Sequence, residues 1–192
     1  AERTGLFRLP FGTAVQRARG LPRSTWGTVF AHAGVGVALI GIVCETTWNS
    51  EYIGSMKPDD VAKIAGYELK LDGVTQRQGP NFREMLARFS VSLDGEPLSA
   101  MTPSKRNFTT RGSSTTEAAL LTRGASQLYI SLGDTAADGA IAVRIYHKPL
   151  VLLIWWGPVL MAFGGMLSLS DRRLRVGAPK PAKALRGLQA AE

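Results

Sequence analysis

Two stretches of the chain are apolar on every side. Residues 26 to 43, WGTVFAHAGVGVALIGIV, are eighteen residues with no charge and one imidazole, His32, and residues 150 to 169, LVLLIWWGPVLMAFGGMLSL, are twenty with no charge at all. At about 1.5 Å of rise per residue they make helices of roughly 27 and 30 Å, close to the thickness of a hydrocarbon core. Both read as transmembrane helices. A signal peptide fits the first stretch poorly, because twenty-five residues precede it and Val43 is bulky where cleavage needs a small residue.

Within the first stretch Gly27, Ala31, Gly34, Ala38 and Gly41 recur at spacings of 4, 3, 4 and 3, which predicts one stripe of small residues. Such stripes let helix backbones approach closely, and in lipid that packing drives association. His32 lies well over 90° round the helix from the stripe, with Gly36 one turn along on its own face. The small side chain at 36 leaves space in which a flat, bulky ligand fits. Pro158 predicts a kink in the second helix, which calls for neighbouring helices to satisfy a freed carbonyl.

Between these stretches the pattern changes to a period of two. GYELKLDGV (66 to 74) places Tyr67, Leu69 and Leu71 on one face, and ARFSVSLDGEPLSAM (87 to 101) alternates through Phe89, Val91 and Leu93 before turning at Asp94 and Gly95. QLYISLGD (127 to 134) and AIAVRIYH (140 to 147) flank a short loop. Five or six short strands with Gly-rich turns predict a small β-barrel or sandwich, OB-like in kind. The fold class expected is therefore membrane α plus all-β, two transmembrane helices flanking a small β domain.

Charge then orients this arrangement. Residues 1 to 25 carry five Arg against Glu2, residues 170 to 192 carry six basic residues against Asp171 and Glu192, and the stretch between is balanced, so the formal net charge of +8 resides in the two ends. By the positive-inside tendency both ends face the cytoplasm. A nucleic-acid partner loses its support, since attraction to anionic lipid headgroups explains the same residues. Trp26 and Trp48 bracket the first helix, and Trp155 and Trp156 lie near the outer end of the second, as interfacial anchors do. The expected organisation is a cytoplasmic basic segment at 1–25, a helix at 26–47, an external β domain at 48–149, a helix at 150–169 and a cytoplasmic basic tail at 170–192.

Candidate chemistry is sparse. A histidine inside hydrocarbon leaves a ring N–H and a ring nitrogen needing partners. Ligation of a metal or haem iron through one nitrogen, with the other hydrogen-bonded, is one solution. An interhelical hydrogen bond is another, and the residues alone leave both open. The β region holds His147 but no carboxylate cluster with metal spacing, no phosphate loop and no nucleophile elbow. Cys44, the single cysteine, excludes an internal disulfide and reads as a packed thiol at a helix end. Asn107, Phe108 and Thr109 match a glycosylation sequon, a motif too short to carry weight.

WGTVFAHAGVGVALIGI, GPNF (79 to 82), TTEAAL (115 to 120) and AVRIYHKPLVLLIWWGPVLMAFGGMLSLSDRR (142 to 173) together resemble the carboxy-terminal part of the CcmF family, cytochrome c-type biogenesis proteins of the bacterial haem lyase. The likeness runs from about residue 20 to Arg175, and the last block is its most specific part. It implies a polytopic inner-membrane protein of which this chain is the last quarter to third, with residues 48–149 periplasmic. It implies haem b in the membrane domain, with His32 matching one histidine ligand to the haem iron, and electrons passing from quinol to keep incoming haem reduced. Implied partners are the upstream transmembrane helices, haem-chaperone and apocytochrome-handling maturation subunits, and apocytochrome c itself. The Trp-rich haem-handling loop and the second ligand of the family lie upstream of this chain. The segment alone is therefore not expected to be catalytic.

His147 stands where the family more usually has an aromatic residue, which argues against a family role for it. Glu117 lies in a recognisable motif, with strand or turn stabilisation as its default part. Two other readings compete: a non-catalytic membrane-anchored scaffold whose β domain docks apocytochrome or partner subunits, and an anchored binding module resembling the lyase only locally.

Overall fold

A computed structural model describes residues 10–110 and 112–171 of the chain. Residues 1–9 of the expected basic segment at 1–25 and residues 172–192 of the expected tail at 170–192 lie outside the described residues. Among the described residues three helices, α1 (Phe11–Arg19), α2 (Arg23–Thr47) and α3 (Leu153–Leu169), flank ten strands in sequence. The strands are β1 (Ser50–Met56), β2 (Val61–Ile64), β3 (Tyr67–Gln78), β4 (Phe82–Leu93), β5 (Glu96–Met101), β6 (Ser104–Phe108), β7 (Ser113–Glu117), β8 (Ala119–Arg123), β9 (Ser126–Thr135) and β10 (Ile141–Lys148). The described residues divide into two compact units, those within 38–155 with the strands, and 10–37 with 156–171.

The strands form two antiparallel sheets, β1-β10-β9-β8 and β2-β3-β4-β6-β7, with β5 also on β4. Of the two expected alternatives, barrel or sandwich, this is the sandwich, and the described residues hold ten strands where five or six were expected. The alternation read at Tyr67, Leu69 and Leu71 and at Phe89 and Val91 is the inner face of one sheet, all five side chains being buried. Leu128, Ile130, Leu132, Val143 and Ile145 of the other sheet complete the core. Asp94 and Gly95 make the expected turn between β4 and β5 with positive φ at both residues (51° and 87°), the geometry that suits a two-residue hairpin.

β3 and β4 are twelve residues each, longer than the core is wide. A register shift between Leu71 and Gly73 interrupts their ladder, and such bulges bend a strand pair. Beyond it β3 no longer alternates, and Thr75 to Gln78 are all exposed. The outer halves of β3 and β4, with β6 and β7, make a four-stranded extension of the sheet.

α2 is the one helix, among the described residues, long and apolar enough to cross a membrane; it begins three residues before the expected boundary. α3 is apolar but has 17 residues, where twenty were expected. The physical reason lies in its first turn: Leu150 has φ of 58°, a left-handed value that a helix cannot contain, so helical geometry starts only at Leu153. Pro158 sits inside α3 as read. At the other end of α2, Glu45 pairs with Lys148 at the end of β10.

Candidate helix-face site and the arginine cluster of the sheet

α2 and α3 meet through their small residues. A Cβ built on Gly27 would stand 2.5 Å from the carbonyl oxygen of Gly164, and one on Gly34 would stand 2.6 Å from that of Gly157. Reciprocally, a Cβ on Gly164 would meet the Ala31 nitrogen at 2.6 Å. Further along, a Cβ on Gly41 would meet the Ile154 nitrogen at 2.7 Å. The stripe read from the sequence is thus a contact in which backbone touches backbone, and only glycine fits at 27, 34 and 41. Phe30 and Phe163 pack edge to face beside it, with centroids 5.4 Å apart. At the start of α2 the Ser24 amide donates to the Asp171 carboxylate at 3.1 Å, satisfying one of the free N–H groups of that helix end.

His32 lies off this contact and is exposed within its unit. Its Nδ1 lies 2.8 Å from the Thr28 carbonyl oxygen. A carbonyl only accepts, so Nδ1 is the donor in this bond, and Nε2 is the ring nitrogen left for another partner. Gly36, on the same face, has open space where a side chain would be, with nothing within 4 Å. The arrangement is an oriented imidazole on a helix face with its second nitrogen available to a further partner. Thr28 as the anchor was legible from its place four residues before His32, one turn away, but only once a ring N–H was asked to find an acceptor. Among the described residues no three His, Cys, Asp or Glu side chains come together as a metal site.

Away from the helices, the sequence motifs at 79 to 82 and 115 to 120 converge on one residue that the sequence did not single out, Arg106 of β6. Its Nε donates to Glu84 at 2.9 Å, Nη1 donates to Glu117, and the guanidinium lies over the Phe82 ring at 4.9 Å. Phe82 in turn meets Phe108 edge to face at 5.9 Å. Glu117 is therefore an ion-pair partner joining β7 to β6, in keeping with strand stabilisation. The Ser104 hydroxyl donates to Glu84 at 2.8 Å, and this bond first, then Arg106, holds the buried Glu84 carboxyl below the usual carboxylate range.

Because Glu84 has a lower pKa folded than unfolded, the stability it contributes is complete above the unfolded carboxyl pKa and is lost as pH falls through the folded value. Glu84→Gln should flatten the acid limb of a melting-temperature profile, and Arg106→Leu should cost about 1 kcal/mol near neutrality, the pair being partly screened by solvent. Coincident acid limbs for wild type and Glu84→Gln would show that the carboxylate does not carry the effect. His147 packs on Tyr67 with ring centroids 5.6 Å apart, and burial pushes its pKa down, as for a packed neutral imidazole. Cys44 is a buried free thiol, as read.

With this geometry in view, residues 47–149 match the family model described as the CcmF C-terminal beta-sandwich. The chain belongs to the CcmF family. It is 81% identical over 191 residues to the cytochrome c-type biogenesis protein CycK of Bradyrhizobium diazoefficiens, covering 100% of this chain and 29% of that protein. With the cytochrome c-type biogenesis protein CcmF of Pseudomonas aeruginosa it shares 39% identity over 83% of this chain and 24% of that protein. A solved structure named Cytochrome c Heme Lyase CcmF has the same fold, with a TM-score of 0.64 at 16% identity over 77% of this chain and 25% of that one. The chain thus spans 24% to 29% of the length of these relatives.

Proposed function

We propose that this chain is the carboxy-terminal part of a cytochrome c maturation haem lyase of the bacterial inner membrane, and that His32 is an axial ligand to the iron of a haem b. The observation that carries the reading is the bond from His32 Nδ1 to the Thr28 carbonyl, which orients the ring and leaves Nε2 for another partner. Neutral histidines that bind metal are held in this way, by a second bond that sets tautomer and direction. The residues present fit a flat group: Gly36 leaves open space beside the ring, and the packing contact with α3 is made elsewhere on α2. Haem b, when bound, supplies one-electron chemistry, here the passage of electrons from quinol that keeps incoming haem reduced. His32 would hold the iron, and α2 holds His32. The other ligand, the haem-handling loop and the covalent attachment of haem to apocytochrome c are assigned to the upstream part of the whole protein, working with the haem-chaperone and apocytochrome-handling subunits.

The test is optical. Reduced-minus-oxidised spectra of full-length protein should lose or shift their Soret and α bands in His32→Ala; unchanged bands exclude ligation and leave the β domain as a docking scaffold.

α2 and α3 are both assigned to the membrane, residues 48–149 to the periplasm and both ends to the cytoplasm. α3 is short for a span, about 26 Å, but the adjoining apolar residues 150 to 152 extend it. Ala100 is exposed on β5, so Ala100→Cys in a Cys44→Ser background should react with a membrane-impermeant maleimide added to the periplasmic side. Labelling only after the cytoplasmic face is opened would invert the topology.

A further inference from the structure

The sandwich leaves one wedge open between two strands. β9 runs from Ser126 to Thr135, yet β8 pairs with it only over Ser126 to Ile130. Its outer half, Ser131 to Thr135, is covered by β10 on one side and has no strand on the other. β7 precedes β8 in the chain and continues toward this half, but it pairs with β6 instead and ends its own sheet. Near the vertex the Thr116 hydroxyl donates to the Leu132 carbonyl at 3.3 Å. Beyond it the two edges bound a cleft of about 590 Å³, with Ser114 on one wall and Gly133, Asp134 and Thr135 on the other.

β7 is short, and its one charge, Glu117, is taken up by Arg106, but its edge carries little other protection. Its sequence, SSTTE, contains no Lys and no Pro, its pairing with β6 has no bulge, and all five side chains are exposed. Such an edge is a template for an added strand.

The floor of the cleft adds a charge preference. Gln76, Gln78 and Asn107 offer carboxamides, and Met85 is the apolar member. Lys105 is sunk into the floor, its side chain 15% exposed, and pairs at 2.5 Å with Asp134, whose side chain is 95% exposed. The cation is thus held in the cleft while its counter-ion stays in solvent, so a carboxylate entering the cleft can replace Asp134, which keeps its hydration on leaving. Arg83, also lining the cleft, has no ion-pair partner among the described residues. A flat apolar ligand finds no apolar wall here. An extended chain finds backbone groups on both sides and a cation below.

We propose that the wedge between β7 and the outer half of β9 is a docking site for an extended polypeptide segment of another protein that carries a carboxylate. The segment lies as an added strand along β7, and its carboxylate takes the place of Asp134 on Lys105. Backbone pairing supplies affinity and the buried cation supplies selectivity.

The probe is a fluorescein-labelled peptide, Thr-Val-Glu-Val-Thr-amide, titrated by polarisation against full-length protein in detergent. Saturable binding is expected, about tenfold weaker when Gln replaces Glu in the peptide or when the protein carries Lys105→Gln. A peptide N-methylated throughout should not bind, because it has no backbone donors. Asp134→Asn should tighten binding several-fold by removing the internal competitor, an effect opposite in sign to that of losing a structural ion pair. Equal binding of the Glu and Gln peptides, binding of the N-methylated peptide, an Asp134→Asn variant no tighter than wild type, or no saturable binding to wild type would each overturn the proposal.

Discussion

In full-length protein, His32→Gly should lose the α band of the proposed haem b, and imidazole added to the buffer should restore it. The rescue separates a missing ligand from a damaged fold. Among the described residues His32 makes no ring contact, and it is exposed, while the helix contact runs along Gly27, Gly34 and Gly41, so deleting the imidazole leaves that surface intact. A glycine in a helix interior costs about 1 kcal/mol relative to alanine, too little to undo a packed helix pair. Free imidazole enters the space left by the side chain and can ligate, but it lacks the tether and the bond to the Thr28 carbonyl, so restoration should be partial and concentration-dependent. A band that never changes removes His32 from the iron. A band that is lost and not restored by imidazole, in a protein that melts like wild type, also counts against a simple ligand role.

The same bond explains why the histidine was readable and its setting was not. An imidazole in an apolar run stands out by residue type, and the glycine stripe stands out by spacing, since helix period converts both into faces. The strands divide in a similar way. β3, β4, β9 and β10 bury one face each, and their alternation is visible in Tyr67, Leu69 and Leu71 or in Val143 and Ile145. β6 (SKRNF) and β7 (SSTTE) belong to the part of the sheet that extends beyond the core, so no apolar face marks them. β2 has only four residues, and α1 only nine, both too short for period to register. Arg106 escaped notice because its meaning is relational: Glu84 and Glu117 are 22 and 11 positions away and come beside it only through strand register. The wedge at β9 is a mismatch of strand lengths, which a sequence does not display at all.

Gly34→Leu should separate α2 from α3. A Cβ at 34 would already stand 2.6 Å from the Gly157 carbonyl oxygen and 2.8 Å from the Met161 nitrogen, and both are backbone atoms of a helix that cannot swing aside as a side chain does. The helices must therefore move apart along the whole seam, opening the contacts at Gly27 with Gly164 and at Gly41 with Ile154. Between apolar helices in lipid, close packing is what holds the pair, since the surrounding chains are as apolar as leucine. Overpacking a well-filled contact costs roughly 1–3 kcal/mol, and a backbone clash belongs at the top of that range. The expected result is a lower melting temperature in detergent and less folded protein in the membrane, with haem lost as a consequence. Gly36→Leu is the matched comparison. Nothing lies within 4 Å of its added Cβ in this chain, so the helix pair should keep its stability while the visible spectrum changes, because the new side chain fills the space beside His32. If Gly34→Leu melts like wild type, the glycine contact does not hold the helices. If Gly36→Leu leaves the spectrum untouched, the face beside His32 is not where the haem lies.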